Sequence, residues 1–291
     1  MIEELIKKKQ ILINHYLENL LIPLHREHQV LFDAMNYSLM AGGKRIRPFL
    51  FLTLLDLLGK KSENYLDIAA SIECIHTYSL IHDDLPAMDN DDYRRGKPTN
   101  HKIYGAGIAT MAGDGLLTQA FTLVADNKKL NSEIKIELIK ILSAAAGPFG
   151  MVAGQAHDKS AEGKEIGSEE LQLLDYYKTG CLLCAPIDMA AVISNASEET
   201  RNILHQFGEH LGLLFQITDD LLDQSGILSE MGKKPGQDIA DGKSTYVTIL
   251  GVNQARLLAK KEMELALKII EHLEYKDILT ELLHFIYTRV K

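Results

Sequence analysis

The chain has 291 residues, 46% of them hydrophobic and 24% charged, and a net charge of −9. That apolar content is enough for one large core or two modest ones. The acidic balance excludes nucleic acid or an anionic membrane as the main partner, since both need a basic face.

The N-terminal stretch, MIEELIKKKQILINHYLENL, is amphipathic and charged throughout, without the apolar centre and cleavage site of a secretory signal. The most apolar run, FLFLTLLDLLG at 49–59, carries Asp56 and is far short of the ~20 residues a membrane span needs. A cytoplasmic protein without membrane insertion is the expectation. Apolar residues then recur at three- and four-residue intervals almost everywhere. This spacing predicts helices over 2–21, 25–41, 48–59, 65–84, 101–126, 132–146, 168–195, 198–224, 243–272 and 276–289. Pro23, Gly42-Gly43, Gly59, Pro86, Pro98, Gly147-Pro148, the stretch 163–167 and Pro235-Gly236 mark the breaks. No repeat or composition shift marks a linker. The expectation is one all-α domain over 1–291, a bundle of about ten helices.

Three apparent motifs do not carry the chemistry their spacing first suggests. GAGIAT (105–110) lacks the preceding strand and third glycine of a dinucleotide loop, and GGKRIRP (42–48) lacks the spacing of a nucleotide P-loop. Cys181 and Cys184 have C-x-x-C spacing, but no second pair or βαβ setting accompanies them. They read as small apolar residues of a buried helix.

Two acidic clusters carry more. HDDLPAMDNDDYRRG (82–96) holds Asp83, Asp84, Asp89, Asp91 and Asp92, followed by Arg94 and Arg95. Asp83 and Asp89 are six apart, with Pro86 between them, so the helix is expected to break after Asp84 and the chain to loop Asp89 back toward Asp83. In TDDLLD (218–223), Asp219 and Asp223 are four apart and share a helix face. A divalent cation removes the repulsion in such clusters, and hard carboxylate oxygens suit magnesium. Two such clusters on separate helices match the way helical bundles build metal sites. Basic residues stand beside them: Lys44, Arg45 and Arg47 after the Gly-Gly turn, Arg94 and Arg95 after the first cluster, Lys233 and Lys243 after the second. Metal ions with arginine forks and lysine charges are what a pair of diphosphates needs.

HTYSLIHDDLPAMDNDDYRRGKPTNH (76–101) and FQITDDLLD (215–223) resemble the two aspartate-rich motifs of trans-isoprenyl diphosphate synthases. GGKRIRP (42–48), GQAHD (154–158), YKTG (177–180), GKKPGQD (232–238) and GKSTY (242–246) appear in the family's order. Within the family the chain is most similar to bacterial farnesyl diphosphate synthases. The resemblance implies the all-α isoprenoid synthase fold, a homodimer, and about three magnesium ions per site, with manganese as a substitute. It implies that Asp83 and Asp89 ligate two ions and Asp219 a third, supported by Asp84, Asp220 and Asp223. By the same resemblance, Arg94, Lys178, Lys233 and Lys243 would grip the allylic diphosphate, and Lys44, Arg47, His76 and Arg95 would hold isopentenyl diphosphate. Thr179 and Gln216 would face the allylic carbon, and Phe215 would pack against prenyl carbons.

Product length follows from helix geometry. Ser79 and Tyr78, four and five residues before Asp83, lie one turn deeper, ~6–7.5 Å along the axis. A tyrosine there closes the pocket floor, and in similar enzymes an aromatic residue at this position accompanies a fifteen-carbon product. Geranyl or geranylgeranyl diphosphate synthesis is the alternative, and a non-catalytic regulatory subunit of the same fold is the rival from another class. A terpene cyclase is disfavoured because the second motif is again D-D-x-x-D.

Overall fold

The computed structural model describes residues 2–225 and 244–289. By internal contact the chain divides into two compact units, residues 3–139 and residues 140 onward.

The first unit contains α1 (Ile2–Glu18), α2 (Gln29–Leu39), α3 (Ile46–Leu57), α4 (Leu66–Asp83), α5 (Asn100–Tyr104), α6 (Ala106–Asp126) and the start of α7 (Ser132–Ala146). Its centre is α4, which is apolar on all sides. Ile68, Ile72, Cys74 and Ile75 are fully buried, and the helix packs against α3 and α6. A helix with no polar face has no side to give to water, so it must be surrounded. Close approach of α6 depends on small residues, Ala109, Ala112 and Gly113; a Cβ on Gly113 would lie 2.1 Å from the His82 ring. By length and composition α6 could cross a membrane, yet its residues Ala109, Ala112, Leu116, Ala120 and Val124 are already buried in protein. The apolar stretch 132–161 also passes that test, but the turn at Gly147–Gly150 divides it into two helices.

The second unit contains α8 (Met151–Ala161), α9 (Ser168–Asp175), a π-helical turn (Tyr176–Gly180), α10 (Cys181–Ile193), α11 (Glu198–Ser225), α12 (Tyr246–Leu250), α13 (Val252–Ile269) and α14 (Lys276–Thr288). Here α10 is the buried helix, with Leu182, Ile187, Met189 and Ala190 inaccessible, and the long α11 packs against α10, α13 and α14. Cys184 is buried and Cys181 partly so, and burial raises both thiols above the usual range. A Cβ on Gly208 would come within 3.1 Å of the Cys184 sulfur, so a small residue is needed there for packing.

The helical reading holds, with four corrections. Two predicted helices are each broken by a glycine in a left-handed conformation. Gly105 (φ +81°) separates α5 from α6, and Gly251 (φ +77°) separates α12 from α13. The helix predicted over 168–195 is interrupted by the π turn. α8 was missed because the Gly147-Pro148 break hid the short periodic run behind it. Residues 93–98 form a small hairpin, Tyr93–Arg94 paired antiparallel with Lys97–Pro98, where no strand was expected.

Candidate active site

In the first unit, α4 ends at Asp83, and the chain turns through Pro86 until the Asp89 amide donates to the Asp83 carbonyl at 2.9 Å. The expected loop-back of Asp89 is therefore present. The five aspartates divide by burial. Asp83 and Asp89 stay partly exposed, whereas Asp84 and Asp91 are buried, at 3% and 8% exposure. Arg94 holds both buried acids: its Nε donates to Asp84 Oδ1 at 2.6 Å, and its Nη2 lies 3.4 Å from Asp91 Oδ2. Burial opposes its charge, but the Asp84 hydrogen bond and the fields of Asp84, Asp83 and Asp91 outweigh it and raise the Arg94 pKa. Asp92 pairs with Lys102 at 2.6 Å.

The Gly-Gly turn places the other basic residues. Gly43 (φ +112°) has no Cβ because the Arg95 guanidinium occupies that space, 2.6 Å from where the atom would stand, and Arg95 donates to the Gly42 carbonyl. Arg45, grouped with Lys44 and Arg47 as a basic residue after the turn but given no role by the resemblance, turns inward. Its guanidinium is buried against Glu73 at 2.5 Å, with Asn14 Oδ1 at 2.9 Å and the Leu39 carbonyl at 2.6 Å, so its role is structural. Lys44 is exposed on the same turn and Arg47 is half-buried.

His76 lies among these cations. Its pKa is pushed well below the usual histidine range, first by burial and then by Arg47, Arg95, Arg94 and Arg45. Its imidazole is therefore neutral in the folded chain. The unfolded chain takes up a proton at this residue below its ordinary pKa of 6.5 and the folded chain does not, so stability is lost as pH falls from there. His76→Gln is expected to flatten the acid side of the profile of urea midpoint against pH. An unaltered acid limb would remove His76 as its cause.

One turn before Asp83, Tyr78 is buried, its phenol pushed up to about 12 by burial, with its ring edge-on to His82 at 5.7 Å. Ser79 donates back to the His76 carbonyl at 2.9 Å.

In the second unit, the site is built on the π turn. Gly154 of α8 allows backbone contact: a Cβ there would lie 2.2 Å from the Lys178 amide nitrogen. One turn further along α8, Asp158 accepts from Lys178 Nζ at 2.6 Å. Gly212 of α11 is similarly close, its added Cβ 3.1 Å from the Gly180 Cα. The next residue pair connects the π turn to the second acidic motif. Thr179 Oγ1 donates to Gln216 Oε1 at 3.3 Å, Gln216 Nε2 to Asp220 Oδ1 at 3.0 Å, and the Tyr246 amide to Asp220 Oδ2 at 2.9 Å. The buried Tyr246 phenol is held far above its usual range, chiefly by burial and then by Asp175 and Asp220. As in the first motif, the leading acid, Asp219, stays partly exposed while Asp220 and Asp223 are buried. Phe215, one turn before Asp219, is half-buried. Lys233 and Lys243 lie outside the described residues.

Sequence reasoning did not assign Asp158 or Tyr246, although GQAHD and GKSTY contain them; their partners become visible only once the helices are packed. Among the described residues no three His, Cys, Asp or Glu side chains form a ready-made metal cage. The partly exposed carboxylates, Asp83 and Asp89 in the first motif and Asp219 in the second, fit a cation such as magnesium, which keeps waters and phosphate oxygens in its shell.

A family model for polyprenyl synthetases matches residues 28–284. The chain belongs to the polyprenyl synthetase family. This synthetase-family chain is 44% identical to the farnesyl diphosphate synthase of Micrococcus luteus over 292 aligned positions, covering 100% of both chains. It is 47% identical to that of Geobacillus stearothermophilus over 247 positions, 84% of this chain and 82% of the other. A solved Helicobacter pylori geranyltransferase, complexed with magnesium and isoprenyl diphosphate, superposes with a TM-score of 0.87 at 36% identity, covering 97% of this chain and 95% of that one. The all-α architecture is thus that of isoprenyl diphosphate synthases.

Proposed function

We propose that the chain makes farnesyl diphosphate, condensing isopentenyl diphosphate with dimethylallyl and then geranyl diphosphate, and that residues 1–291 work as one cytoplasmic polyprenyl synthetase domain. The observation that carries this reading is the same division of labour in both aspartate pairs. Asp83 and Asp219 stay accessible, while Asp84 and Asp220 are buried and organise an arginine and a polar chain. The relatives support the reaction class and the fifteen-carbon product, and the magnesium-bound geranyltransferase supports magnesium as the cofactor.

In this proposal Asp83 and Asp89 ligate two magnesium ions and Asp219 a third, with manganese able to substitute. Bound magnesium supplies Lewis-acid stabilisation of the charge that collects on the departing diphosphate. Arg94 and Lys178, with Lys233 and Lys243, take the remaining charge of the allylic diphosphate. Arg94 is presented by Asp84, and Lys178 by Asp158. Lys44, Arg47, Arg95 and neutral His76 hold isopentenyl diphosphate so that its double bond meets the allylic carbon. Thr179 and Gln216 turn oxygens toward the developing cation, and Phe215 and the apolar helices exclude the water that would quench it. The proton lost at the end goes to the departing diphosphate.

A homodimer is part of the proposal. Ile103, Met111 and Ile136, on α5, α6 and α7, are 51%, 51% and 55% exposed in the single chain, which suits helices that gain a partner.

The test is a product assay with dimethylallyl diphosphate, labelled isopentenyl diphosphate and magnesium. A fifteen-carbon product abolished by chelator is expected. A ten- or twenty-carbon product would keep the chemistry and discard the product, whereas no condensation by folded protein would favour the regulatory subunit. In the same assay Tyr78→Ala is expected to shift products to twenty carbons and beyond. An unchanged distribution would remove Tyr78 as the floor.

A further inference from the structure

The residue just beyond α14, Arg289, meets the second acidic motif from the C-terminal end of the chain. Its Nη1 lies 3.2 Å from Asp219 Oδ1, and its guanidinium carbon stands 5.7 Å from the centre of the Phe215 ring. Its side chain is 11% exposed, against 39% for Asp219. A guanidinium is charged at every accessible pH, so this contact pairs a permanent cation with one acid of an acidic run. The ring beneath it limits where the guanidinium can go, because a cation held over an aromatic face loses energy on leaving it. Asp219, Asp220 and Asp223 crowd three carboxylates into five positions of one helix, and like charges so placed destabilise it. Arg289 relieves that repulsion at the most accessible of the three.

We propose that Arg289 is an internal counter-ion of the second motif, holding Asp219 until a divalent cation takes the same oxygen. This rests on the reading of Asp219 as a metal ligand. Arginine and metal then compete: Asp219 Oδ1 cannot keep the Arg289 contact at full strength and also ligate an ion. The arginine weakens metal binding at the motif and keeps it ordered beforehand. It acts through Asp219 and is a positioning residue, not a catalytic one.

The test is a calorimetric magnesium titration of the whole folded chain, without substrate, on wild type, Arg289→Gln, Arg289→Lys and Asp219→Asn. Arg289→Gln is expected to tighten magnesium binding about three- to fivefold, the scale of a partly exposed ion pair, and to lower the melting temperature of the metal-free chain slightly. Arg289→Lys keeps the charge and is expected to stay near wild type, which separates competition from damage to the C-terminal helix. Asp219→Asn is expected to weaken binding. If Asp219→Asn weakens binding while Arg289→Gln leaves it unchanged or weaker, the counter-ion role is wrong and Asp219 remains a ligand. If Asp219→Asn binds magnesium as wild type does, Asp219 is not a ligand and the counter-ion proposal falls with it.

Discussion

Asp83→Asn is expected to lower kcat/KM about 100- to 1,000-fold, the scale seen when one group that stabilises developing charge is removed. The fold is expected to survive, because Asp83 is partly exposed at the end of α4. Asp84→Asn makes the informative comparison. Its carboxylate is buried and holds Arg94, so this change would act by misplacing an arginine rather than by removing a ligand. Its effect is expected mainly as a raised KM for the allylic diphosphate, with magnesium dependence close to wild type. Steady-state kinetics at several magnesium concentrations distinguish the two. Equal loss of magnesium affinity in both variants would end the proposed division between outward and inward acids.

Arg45→Ala is expected to destabilise the chain by about 3–5 kcal/mol, the cost of leaving one member of a buried ion pair without the other. Arg45 and Glu73 side chains are each 1% exposed and 2.5 Å apart, so water cannot replace the lost partner. Substituting Arg45→Met and Glu73→Leu together is expected to recover most of the loss, since the desolvation of both charges disappears with them. Urea unfolding of the single and double variants measures this. A double variant as unstable as Arg45→Ala would show that the Asn14 and Leu39 contacts, not the ion pair, carry the energy.

Most of the fold was legible because helical periodicity is a local signal that packing reinforces. It misled at Gly105 and Gly251, where apolar spacing continues across a residue whose backbone turns left-handed. Spacing records which residues face the core, not the φ of the glycine between them. The loop-back of Asp89 could be read because proline forces a helix to stop, and stopping there leaves few routes for the chain. Residue type and spacing alone do not separate Arg45 from Lys44 and Arg47, since three basic residues after a turn look alike until one is seen to face Glu73; only the resemblance set it apart, by giving roles to Lys44 and Arg47 and none to Arg45. The same holds for Asp158, whose partner Lys178 lies 20 positions away and is reached only through the close contact at Gly154.

The π turn at Tyr176–Gly180 has one extra residue in its helical circuit, and such turns are rare and frequently sit at functional sites. One residue in an α-helix is worth about 100° of rotation. All of α10, with its buried Leu182, Ile187 and Met189, is therefore phased to that extra residue. Deleting one residue between Tyr176 and Gly180 would restore an ordinary helix and turn the apolar face of α10 away from its neighbours. Side chains in this stretch can vary within the limits of their contacts, but its length cannot. The segment acts as a counted spacer, and a one-residue insertion or deletion there is a heavier lesion than most substitutions.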